Sequence, residues 1–117
     1  MNIKWNSILI GAVFTFFAQG GAWAQHNLQF KYPQYGSNWW GWYVAAIPIT
    51  WLFLNATKYT VEGFDGSVWS NRFMGFTIGI FVYAFLTQWF FNQPMTLKVI
   101  IQMLLALVIL SVQFLMK

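Results

Sequence analysis

Four long apolar runs, almost free of charge, constrain this chain more than any other feature. They fall at about Ser7 to Ala24, Trp39 to Ala56, Trp69 to Phe91 and Thr96 to Leu115. Each is close to the ~20 residues that a helix needs to cross ~30 Å of hydrocarbon. The runs are continuous and lack the period-2 alternation of a membrane-barrel strand, so helices are predicted. Only 7% of the residues are charged, against about 25% in ordinary soluble chains. A soluble domain of 117 residues exposes too much surface for so few charges to cover. The expected fold class is all-α: an integral membrane four-transmembrane-helix bundle with short loops. Residues 1–117 form a single transmembrane domain on this reading, with the lipid bilayer as its solvent.

The first run admits two readings. "FTFFAQGGAWAQHN", Phe14 to Asn27, resembles the end of a secretory signal: Lys4 supplies a positive start, an apolar stretch follows, and "AWA" before Gln25 fits a small-x-small cleavage site. It also reads as the first membrane helix. Gln19, Gly20 and Gly21 interrupt the apolar stretch in a way unusual for a signal, which favours a retained helix.

Turn chemistry separates the runs. Pro33 and Gly36 lie in a polar loop from Gln25 to Asn38, and "EGFDGS", Glu62 to Ser67, carries an Asp-Gly pair. "NQP", Asn92 to Pro94, is a tight connection, with Pro94 expected to open the fourth helix. Pro48 interrupts the second run, as bundled membrane helices tolerate. Trp39, Trp40, Trp42, Tyr43, Tyr59, Trp69 and Trp89 gather near the ends of runs, the pattern of interfacial belts. Four spans place both termini on one side, with Lys4, Lys58, Arg72 and Lys117; Lys31 and Lys98 fall on the other. The excess favours cytoplasmic termini in a multi-pass protein of the plasma (inner) membrane. The basic residues are scattered singly, which argues against a nucleic-acid partner.

Small residues mark expected helix contacts: Gly11, Thr15 and Ala18 on one face of the first span, and Gly75 with Gly79 in a small-xxx-small spacing. Amides at depth, Gln19, Asn55 and Gln88, are expected to hydrogen-bond across helices or to line a pathway. Trp51 and Tyr83 could present their ring faces to an organic cation. Arg72, near the start of the third span, either pairs with Glu62 or Asp65, the only carboxylates, or reaches the interface. His26 is the sole histidine and cysteine is absent, so no metal site is expected. No acid pair, nucleophile triad or phosphate loop is present. Neither an enzyme nor a cofactor is expected.

"GIFVYAFLTQWFFNQPMTLKVIIQMLLALVILSVQFL", Gly79 to Leu115, resembles the small multidrug resistance transporters, four-helix members of the drug/metabolite transporter superfamily. Gly79, Ile80, Leu86, Thr87, Phe90, Phe91 and Gln93 carry the likeness, and "LIGAVF", Leu9 to Phe14, is similar to the family's first-helix opening. The resemblance implies four helices, minimal loops and a transporter working as a homo-oligomer. That family holds a glutamate in mid-first-helix that binds cation and proton in turn. The corresponding stretch here, Val13 to Phe17, holds no acid, so no residue inherits that role. The leading expectation is therefore a non-catalytic accessory or structural subunit among other membrane proteins. The alternative is a small multidrug resistance-like transporter.

Overall fold

The computed structural model describes residues 3–116. Four α-helices form: α1 Trp5–Asn27, α2 Trp40–Gly63, α3 Val68–Phe91 and α4 Leu97–Leu115. No strand occurs among the described residues. Two short 3-10 turns, Leu28–Phe30 and Pro33–Tyr35, connect α1 to α2. Three helices are long and apolar enough to cross a membrane: α1 with its extension to Phe30, α3 and α4. The second helix has 24 residues but is not among them. The apolar run was expected to end near Ala56, yet the helix continues through Lys58 and Glu62 to Gly63. Those added turns, with Trp40, Trp42, Tyr43, Pro48 and Asn55, dilute its apolar character.

α1 runs unbroken through Gln19-Gly20-Gly21 and "AWA". It lies against both α2 and α3, while α4 rests mainly on α3. The antiparallel α1–α2 contact is the tightest. A Cβ on Gly11 would sit 2.8 Å from the Thr60 backbone nitrogen, and one on Gly63 would sit 2.8 Å from that of Ile8. Only glycine lets the two backbones approach so closely. The Lys4 N–H donates to the Gly63 carbonyl at 2.8 Å, tying the start of α1 to the end of α2. Thr60 Oγ1 is buried with no hydrogen-bond partner among the described residues. It faces Gly11, whose Cα–H is a weak donor of the kind recurrent between close helices.

The Asp-Gly turn closes α2. Asp65 (φ 58°) and Gly66 (φ 91°) are left-handed. Gly66 N–H donates to Val61 O at 2.8 Å and Asp65 N–H to Glu62 O at 3.2 Å, the paired bonds of a Schellman motif. Ser67 then caps α3, its Oγ accepting from the Ser70 N–H at 3.2 Å. At the far end Asn92 is left-handed and stops α3. Pro94 does not open α4 as expected. It lies in an irregular link, and Thr96 caps the helix by accepting from Val99 N–H. A threonine hydroxyl can satisfy a free helix N–H, which a proline cannot.

Polarity is sorted against the habit of soluble proteins. Thr15, Thr60, Ser70 and Thr77 are buried beside Ala18, Ala56 and Ala106. Leu9, Val13 and Phe17 of α1, Ile47 and Leu54 of α2, Phe85 and Trp89 of α3, and Leu104 and Val108 of α4 face outward. Among the described residues, Ile8, Phe64 and Met74 form an apolar cluster against which Phe114 of α4 packs. The expected all-α architecture with short links is present, and its outward faces suit hydrocarbon.

Gly11→Leu should destabilise the chain strongly, by about 3 kcal/mol or more from overpacking. Gly20→Ala, where an added Cβ meets nothing within 4 Å, should be neutral or gain up to about 1 kcal/mol in helix propensity. Unfolding in mixed detergent micelles, followed by circular dichroism, measures both.

Candidate functional site

A cleft of about 520 Å³ opens between α2 and α3 with α1 as its floor. Its α3 wall carries Asn71, Arg72, Gly75, Phe76, Gly79, Ile80 and Tyr83. Arg72, Phe76, Gly79 and Tyr83 stand at i, i+4, i+7 and i+11, one stripe of a helix. Phe53, Ala56 and Thr57 form the α2 wall, and Thr15 and Gln19 the floor. The cleft exists because α2 diverges: held against α1 by Gly11 and Gly63, it meets α3 only sparingly.

The floor is less polar than its residue names suggest. Thr15 Oγ1 donates to Gly11 O at 2.7 Å. Gln19 Nε2 donates across to Gly75 O at 3.3 Å. A Cβ on Gly79 would lie 3.0 Å from Gln19 Cδ. The Gly75–Gly79 spacing therefore seats a glutamine side chain, whereas Gly11 admits a neighbouring backbone. Nothing lies within 4 Å of an added Cβ at Gly75.

Arg72 is exposed at the cleft mouth. Glu62 and Asp65, the carboxylates expected as its partners where it does not reach the interface, are exposed as well. Glu62 belongs to the last turn of α2 and Asp65 to the Schellman turn, each held on its own side of the link.

A second, smaller cleft of about 320 Å³ continues along α3 toward α4. It shares Ile80 and Tyr83 with the first and adds Thr87, Gln88, Gln93 and Gln102. Gln88 is exposed there. Of the expected pathway residues, the main cleft brings together Gln19 and Tyr83. Asn55 and Trp51 line neither cleft. Asn55 Nδ2 bonds to Trp51 O of its own helix at 2.9 Å, and the Trp51 ring meets Phe14 edge-on at 5.6 Å. Thr57 and Phe76 were not singled out from sequence, although Phe76 shares the stripe spacing with Arg72.

Other polar side chains join helices. Thr77 Oγ1 lies 3.0 Å from Phe73 O and 3.1 Å from Ala106 O of α4. Ser70 Oγ donates to Gln113 Oε1 at 2.8 Å. Trp23 Nε1 donates to Thr87 Oγ1 at 3.1 Å. His26, in the last turn of α1, bonds to Ala22 O at 2.8 Å. No cluster of three potential metal ligands occurs among the described residues.

Comparison with protein families, with curated proteins and with solved structures finds no match.

Gln19→Leu should cost about 0.6 kcal/mol, the average for one interhelical bond in a membrane helix. Asn55→Leu, which breaks only a bond within its own helix, should change stability by less than about half of that. The same micellar unfolding experiment separates them.

Proposed function

We propose that this chain is a four-span protein of the plasma (inner) membrane, with cytoplasmic termini, that acts as a non-catalytic accessory subunit of a larger membrane assembly. The supporting observation is its shape. The described chain measures 47 × 36 × 18 Å, a slab about two helices thick given interaxial spacings of ~8–10 Å. Its clefts open sideways, so one copy encloses no passage. The hydrogen bonds of Gln19, Ser70, Thr77 and Trp23 serve helix cohesion. Proton coupling calls for a carboxylate or histidine held at membrane depth. Here Glu62 and Asp65 sit at the α2–α3 turn, and His26 at the end of α1.

The α2–α3 cleft favours a second reading, a small multidrug resistance-like transporter in which a second copy completes the pathway around Gln19 and Tyr83. Purification from native membranes distinguishes the two. The subunit reading expects a larger partner at fixed ratio, cross-linked through a cysteine at Val108 on the outer face of α4. A stable homo-oligomer whose liposome flux is abolished by Gln19→Ala would reverse the order.

Topology is testable because the chain has no cysteine. Single cysteines at Gln34 and Gln93 should react with an impermeant maleimide from the outside of intact cells, and one at Asp65 should not. Equal labelling of Gln34 and Asp65 positions from one side would show that α2 does not cross.

A further inference from the structure

We propose that the α2–α3 cleft binds an anionic phospholipid, with the phosphate at Arg72 and an acyl chain running inward along the groove toward Tyr83. Charge makes the first argument. Arg72 is an exposed cation at the mouth. A guanidinium offers a planar fork of donors matched to phosphate oxygens. Asn71 and Thr57 line the same mouth and add neutral donors. Arg72 is the charged group among the residues that line the cleft.

Depth makes the second argument. Arg72 is the fifth residue of α3, about 6 Å along its axis. In a helix that spans hydrocarbon, this is where headgroups meet acyl chains. Tyr83 lies a further ~16 Å along the same stripe.

The groove is also graded like an amphiphile. Its donors cluster at the mouth, while Phe53, Phe76 and Ile80 form the walls farther in. The floor donors, the Thr15 hydroxyl and Gln19 Nε2, already donate to carbonyls. A soluble anion would use the mouth and leave the apolar length unfilled. The volume, about 520 Å³, falls within the ~300–1,000 Å³ usual for small-molecule sites.

The test is native mass spectrometry of the full chain in non-ionic detergent, titrated separately with phosphatidylglycerol, phosphatidylcholine and inorganic phosphate. Wild type should retain phosphatidylglycerol over phosphatidylcholine. Arg72→Gln should weaken that retention about tenfold, the loss of one charge-assisted contact. Lys98→Gln, at the other end of the molecule, should leave it unchanged. Thr57→Trp fills the groove from an exposed position without altering charge and should also reduce retention; circular dichroism checks that each variant is folded. Equal retention of the two lipids, wild-type retention by folded Arg72→Gln, or displacement of the lipid by inorganic phosphate would overturn the proposal. It rests on the membrane reading but fails separately from it: the maleimide pattern can hold while lipid discrimination is absent.

Discussion

Gly11 and Gly63 let α1 and α2 meet backbone to backbone, and the remaining arrangement depends on that contact. Helices placed in hydrocarbon feel no hydrophobic force between apolar faces, and close packing and hydrogen bonds are what can hold such helices together. The glycines supply the packing: an added Cβ at either one would lie 2.8 Å from a neighbouring backbone nitrogen. The Lys4 to Gly63 hydrogen bond fastens the same end. With α2 drawn onto α1, it is held away from much of α3, and the cleft follows.

The other helix contacts use different means. Gln19 spans from α1 to the α3 backbone through the space left by Gly79. Thr77 and Ser70 reach α4 through hydroxyls. Hydroxyls bonded between helices have no need of solvent, so Ser70 and Thr77 are buried while many Leu, Ile, Phe and Val side chains face outward. Such bonds are worth less individually than close packing over a long seam, with a mean of about 0.6 kcal/mol. The α4 helix, which rests mainly on α3, is accordingly the element with the largest uncovered apolar surface.

Function follows from what this architecture leaves free. Arg72 stands at the mouth of a groove whose floor donors are already hydrogen-bonded and whose walls carry Phe53, Phe76 and Ile80 farther in. The roles proposed above, lipid binding in the cleft and association through the outer faces, draw on these features.

Much of the fold was legible in the residues. Length and continuity of the apolar runs determined four helices, and the Asp65-Gly66 pair determined the turn between α2 and α3, because backbone hydrogen bonding and left-handed φ are local requirements. The structure carries α2 past Ala56 to Gly63, since a polar extension stabilised against α1 reads in sequence as a loop. Pro94 was misjudged because either it or Thr96 could open α4, and only the placement of the link decides. The partners of Gln19, the difference between the roles of Gly11 and Gly79, and the placement of Arg72 at the cleft mouth were decided by tertiary structure alone. Each depends on which helices become neighbours and how closely they approach, and residues as far apart in sequence as Gln19 and Gly75 carry no local signal of meeting.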